Sequence, residues 1–178
     1  FFFIPPATPL RTPLSITEAL PFGHGGPCLG GGYDKWVSDV RATVTTSTMA
    51  TAATFTPAVD SSRLATEASV LANYANAAYV IIDSRNIADY TPKHIRNAIN
   101  ILNGAFLNAD GTVKSYADIK TLLDGMGITT GKKVITYCYV GYRSGQEYFI
   151  FRLMGFDVSN YDGSWTEWSA DPTLPTDP

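Results

Sequence analysis

The chain has 178 residues, with 13 Lys and Arg against 16 Asp and Glu for a formal net charge of −3, and 45% of it is hydrophobic. A balance of that sign offers no footing for nucleic acid or an anionic membrane surface, and no apolar run is long enough to span a bilayer. Two cysteines, Cys28 and Cys138, are too few for a disulfide scaffold and wrongly spaced for structural zinc, which leaves a folded globular chain long enough for one well-buried domain with residues to spare.

Residues 1–28 are rich in Pro, Phe and Gly and carry no periodic element. Phe1 to Ile4 stops at Pro5-Pro6 without the charged flank and long core of a signal peptide, and a start on Phe rather than Met suggests a fragment or a processed product. Arg41 to Pro57 is Thr- and Ala-rich, strand-like at its start and ends on Pro, which places an interdomain linker at 46–57 and opens the intact domain at 58–178. A helical stretch is expected within Val59 to Asn76, carrying Leu64, Val70, Leu71 and Tyr74, and it leads into a strand at Tyr79 to Ile82. A loop with Tyr90 and Pro92 follows, then a short strand at Ala98 to Leu102 and a loop to Val113 that turns at Asp110-Gly111. Ser115 is the N-cap of a helix with Ile119, Leu122 and Leu123 on one face, stopped by Gly125 and Gly127. Val134 to Tyr137 is the next strand and ends on Cys138. From Gly145 the pattern turns helical, with Tyr148, Phe149, Phe151, Leu153 and Met154 as apolar surface and Gly155 as the stop. Val158 to Tyr161 reads as a last strand and Asp171 to Pro178 as a Pro-broken tail. Strands alternating with helices give an α/β class, a parallel sheet covered on both faces.

Between the cysteine strand and its helix lies Cys138-Tyr139-Val140-Gly141-Tyr142-Arg143-Ser144. A strand-to-helix turn of this kind aims backbone N–H groups at its own centre, which favours negative charge. The helix dipole and Arg143 are expected to stabilise a Cys138 thiolate, a nucleophile at neutral pH. Gly141 suits a cradle that needs positive φ, and Ser144 is expected to cap the helix. A buried structural thiol is the commonest alternative for a free cysteine. Its place at a strand end, where open α/β sheets bind ligands, favours function.

The loop resembles the active-site loop of the rhodanese (sulfurtransferase) family, of form C-x-x-G-x-R-S. Three further elements carry the resemblance in order: Tyr79 to Arg85 is similar to the D-x-R strand, His94-Ile95 with Ala98 to Ile101 to an H-I-x-x-A-I-N-I element, and Tyr161 to Trp168 to the Y-D-G-S-W-x-E-W close of two-domain thiosulfate sulfurtransferases. Leu29 to Val37 is similar to the G-G-x-x-x-W close of a preceding domain, so the resemblance implies that residues 1–45 are the tail of a preceding rhodanese-like domain.

The resemblance further implies transfer of sulfane sulfur from thiosulfate or a related donor to a thiol or cyanide acceptor, through a persulfide on Cys138, with no cofactor and no metal. Tyr139, Val140, Gly141, Tyr142, Arg143 and Ser144 would bind the donor, with Asp83, Arg85 and Trp165 as wall or support. His94 is read as a structural hydrogen-bonding residue, and Cys28 as inert. Departures are Lys93, Arg96 and Asn97 around His94, where the family has glycine and Pro-Gly, and the lack of a second basic residue in the loop. A cysteine phosphatase or arsenate reductase of related fold uses five residues between Cys and Arg, whereas four separate Cys138 from Arg143. A non-enzymatic rhodanese-like interaction or sulfur-relay module is the other rival. Cytoplasmic and periplasmic placement both stay open.

Overall fold

The structure is a computed structural model that describes residues 29–46, 54, 56 and 60–178. Residues 1–28, with Cys28, and most of the segment read as a linker lie outside the described residues.

The frame is set by short β-branched runs. Strands β1 (Leu64–Ala65), β2 (Tyr79–Asp83), β4 (Ile99–Asn100), β5 (Lys133–Tyr137) and β6 (Asp157–Tyr161) form one sheet in the order β1-β6-β5-β2-β4, every neighbouring pair parallel. Two further short strands, β3 (His94–Ile95) and β7 (Thr176–Asp177), pair antiparallel outside it, so the tail read as irregular ends on a strand. The helices are α1 (Gly32–Ser38), α2 (Glu67–Asn73), α3 (Ile87–Tyr90), α4 (Tyr116–Gly125), α5 (Tyr142–Leu153) and α6 (Ser164–Trp168). Among the described residues, no helix is long and apolar enough to cross a membrane.

Alternation along each central strand fills two separate cores. Val80, Ile82, Val134 and Val158 face Ile119, Leu123, Ile150 and Phe151 of α4 and α5. Ile81, Ile135, Tyr137 and Tyr161 face Val70, Ile95 and Trp168 on the other side. Both faces are therefore covered, as the near-continuous apolar strands require.

Several element boundaries differ from those expected from the sequence. Leu64 is not helical: a 3-10 turn (Ser61–Arg63) feeds β1, and the helix starts at Glu67 behind a Thr66 cap. The segment after Asp83 contains α3, a single helical turn, and residues Asn103–Phe106 make a 3-10 turn within the stretch read as loop. The strand at Ala98 to Leu102 shrinks to Ile99–Asn100, because only Ile82 and Asp83 of β2 reach it. Helix α5 begins at Tyr142, three residues before Gly145, because Gly141 supplies a left-handed start at φ 80°. Ser115 caps α4 as expected, accepting from the Asp118 N–H at 3.2 Å.

The end of β2 holds a buried ion pair. Asp83 takes Arg85 Nη2 at 2.7 Å and the Tyr137 hydroxyl at 2.5 Å, and Arg85, 1% exposed, also donates to the Lys93 carbonyl at 2.9 Å. Tyr137 Oη in turn accepts the Ile95 N–H, so the pair fastens the β3 segment to the sheet. Removing one member leaves the other charge buried alone. Arg85→Ala should lower the unfolding free energy by about 3–5 kcal/mol in urea titrations, and a loss below about 1 kcal/mol would contradict this assignment.

Candidate active site

The Cys138 loop sits at the carboxyl end of β5, in the middle of the sheet, where β2 and β6 end on either side. Its shape follows from where its carbonyls go. Cys138 O accepts the Trp165 N–H at 3.0 Å, and Tyr139 O accepts the Thr166 N–H at 3.0 Å and the Thr166 hydroxyl at 2.8 Å. Gly141 O accepts the Gly145 N–H at 2.9 Å, the Ser144 hydroxyl at 3.1 Å and Asn160 Nδ2 at 3.4 Å. With the carbonyls tied outward, the amides of Val140, Arg143 and Ser144 are left to turn toward the sulfur.

Burial alone would raise the Cys138 thiol. The N–H groups of Ser144, Val140 and Arg143 outweigh it and hold the thiol below its ordinary value. Arg143 thus acts on the sulfur through its backbone amide. Its Nη1 is buried without a hydrogen-bond acceptor, a donor suited to an anion held at the loop.

Gly141 takes φ 80° and packs on Asp162; a Cβ there would strike the Asp162 carboxylate and lie 3.0 Å from its carbonyl oxygen. Only glycine meets both demands. Ser144 is not the helix cap: it lies inside the first turn of α5, with its hydroxyl turned back to the Gly141 carbonyl. Cys138 is only 2% exposed, while Tyr139, Val140 and Tyr142 stand out in solvent around it at 41%, 62% and 87%.

Asp83 and Arg85 are both buried at the end of β2. The guanidinium lies 4.4 Å from the Trp165 ring centre and 5.4 Å from that of Tyr139, so it is covered by the two aromatics that flank the loop. His94 stacks on Tyr90 at 3.7 Å and its Nδ1 lies 3.0 Å from the Tyr90 carbonyl, a structural placement as expected.

Three contributors escaped the sequence reading. Ser164, at φ 54°, accepts the Cys138 N–H at 3.2 Å and donates to the Tyr161 carbonyl at 2.7 Å. Glu147 and Ser84 form a buried hydrogen bond at 2.6 Å on the opposite side of the sheet from Asp83 and Arg85. Glu147 had a legible signal: with Ile150, Phe151 and Met154 it continues the buried stripe of α5.

A lowered thiol keeps its nucleophile as pH falls beneath the usual cysteine range, and the stability it lends the fold is present above the unfolded thiol's value and lost as pH drops through the folded one. Iodoacetamide alkylation of Cys138 should therefore titrate with a midpoint below about 8.5. In Gly141→Ala the midpoint should move up by about one unit as the amides are displaced; an unmoved midpoint would show that the cradle does not set the thiol.

Comparison with known proteins matches this architecture. The chain is 28% identical over 158 residues to a thiosulfate sulfurtransferase of Pseudomonas aeruginosa, covering 84% of this chain and 58% of that one. It is 43% identical over 77 residues to the sulfur carrier protein TtuD of Thermus thermophilus, covering 42% of this chain and 27% of that one. An anaerobic ergothioneine biosynthesis enzyme from Chlorobium limicola, solved with trimethyl histidine, superposes with a TM-score of 0.75 at 25% identity over 83% of this chain and 40% of that one. The chain thus spans between about a quarter and three-fifths of the length of these relatives. Residues 66–171 match the rhodanese-like domain, well over half of the chain, and the protein belongs to that family.

Proposed function

We propose that the chain is a sulfurtransferase that carries sulfane sulfur as a persulfide on Cys138. The observation that carries this reading is a buried sulfur ringed by the amides of Val140, Arg143 and Ser144, with Arg143 Nη1 free to take an anion. The Cys138 thiolate attacks the outer sulfur of thiosulfate. A Cys138 S–S bond forms, the donor's S–S bond breaks, and its electron pair leaves on sulfite. The outer sulfur is left with the negative charge, which the inward amides stabilise without reorganising. A thiophilic acceptor such as cyanide or a thiol then takes the outer sulfur and returns the thiolate. No proton transfer is needed when the thiol is already ionised, so the scheme calls on no general base.

A sulfur-relay reading, with a protein thiol as acceptor, draws support from the exposed apolar rim of Tyr139, Val140 and Tyr142 around a nearly buried sulfur, and from the named role of the Thermus relative. The relatives' greater length supports a second rhodanese-like domain as a further partner. Residues 29–38 fit the close of such a domain. Gly32 at φ 63° opens a short helix four residues before Trp36, as Ser164 at φ 54° does four residues before Trp168.

Intact-mass measurement on the reduced protein tests the chemistry. Thiosulfate should add one sulfur atom, cyanide should remove it as thiocyanate, and Cys138→Ser should gain nothing. No gain in the wild type, or equal gain in the variant, would refute it. Transfer to a protein thiol but not to cyanide would favour the relay.

A further inference from the structure

Glu147 is fully buried on α5, one helical turn after Arg143. Its Oε2 accepts the Ser84 hydroxyl at 2.6 Å, and its Oε1 is buried with no hydrogen-bond partner. The groups that bear on it are unfavourable to a carboxylate. The end of β2 presents Asp83, the loop presents Cys138, Arg85 is committed to Asp83, and among the described residues no Lys, Arg or His pairs with Glu147. An unpaired carboxylate in such a place takes up a proton rather than stay charged. Burial raises it most, the Ser84 hydrogen bond opposes, and the charges of Asp83 and Cys138 raise it further, leaving it well above the ordinary carboxyl range.

We propose that Glu147 is a positioning residue that serves as a neutral carboxylic acid behind the Cys138 loop, and that loss of its proton closes the loop to anionic reagents. The inference rests on Cys138 handling anionic sulfur. Thiosulfate, sulfite and the persulfide all bring negative charge to a sulfur that is already a thiolate. While Glu147 is neutral, its Oε2 anchors Ser84 at no electrostatic cost to the loop. Ionised, it sets a second fixed negative charge in the same low-dielectric region, and an anion approaching the amides meets repulsion that a neutral molecule does not. The sign of the effect is fixed: transfer is supported below the folded-state titration of Glu147 and lost as pH rises through it. A residue that merely packs would show no such dependence.

The test compares Cys138 alkylation by anionic iodoacetate and neutral iodoacetamide across the pH range in which the protein stays folded, in the wild type and in Glu147→Gln. The ratio of the two rates cancels thiol ionisation. In the wild type the iodoacetate-to-iodoacetamide ratio should fall about tenfold as pH rises through the titration of Glu147, and in Glu147→Gln it should stay nearly flat. A parallel fall in both proteins overturns the proposal. Should Glu147→Gln fail to fold, infrared spectra of the wild type decide. A neutral carboxyl C=O absorption persisting above the ordinary carboxyl range and bleaching alongside the ratio supports the assignment, and a carboxylate already formed within that range overturns it. Alkylation needs no sulfur transfer, so failure of thiosulfate to load Cys138 would count against the sulfurtransferase reading and leave this result interpretable.

Discussion

The site depends on where three carbonyl groups point. A turn from strand to helix can present either its oxygens or its amides to the centre, and only the second arrangement favours an anionic sulfur. Here the choice is made by partners far along the chain. The N–H groups of Trp165 and Thr166 draw the Cys138 and Tyr139 carbonyls outward, and Gly145, Ser144 and Asn160 hold that of Gly141. The segment after β6 thus shapes the candidate site although it offers the sulfur nothing directly. Ser164 shows the cost of that role: it holds a left-handed backbone so that its hydroxyl can receive the Cys138 N–H.

Three consecutive residues at the end of β2 serve opposite faces of the sheet. Asp83 and Arg85 close an ion pair beneath Trp165 and Tyr139, and Ser84 between them reaches Glu147 on the far side. Charge is handled differently in the two places. The Asp83 carboxylate has Arg85 and the Tyr137 hydroxyl as partners and fastens the β3 segment, while Glu147 has one hydroxyl and, among the described residues, no cation. Alternation along the chain sends Ser84 to the face opposite its neighbours Asp83 and Arg85, which is how one short segment serves an ion pair on one side of the sheet and the Glu147 carboxyl on the other.

Much of this could be read in the sequence because it is local. The β-branched runs at Tyr79 to Ile82 and Val134 to Tyr137 fixed the central strands, Ser115 announced its helix, and the cysteine loop with its glycine and arginine announced the site. What escaped depends on tertiary partners. The start of α5 lies earlier than the apolar pattern suggests because Tyr142 and Ser144 are weak helix formers that carry no apolar stripe, and the left-handed Gly141 backbone that opens the helix is packed against Asp162. Leu64 was given to a helix because one apolar residue does not distinguish a two-residue edge strand from the turn beside it. Arg143 was expected to act by its charge, but its amide does part of the work because α5 begins early enough to include it. Glu147 lay in plain view on the α5 stripe, a carboxyl where the pattern asks for an apolar residue.

The central claim is that inward amides hold an anionic outer sulfur on Cys138. A crystal structure of the thiosulfate-treated protein tests it most directly. The account predicts an extra sulfur on Cys138 at the centre of the loop, within hydrogen-bonding distance of the Val140, Arg143 and Ser144 amides. An outer sulfur directed to solvent, or a loop with its carbonyls turned inward, would contradict it.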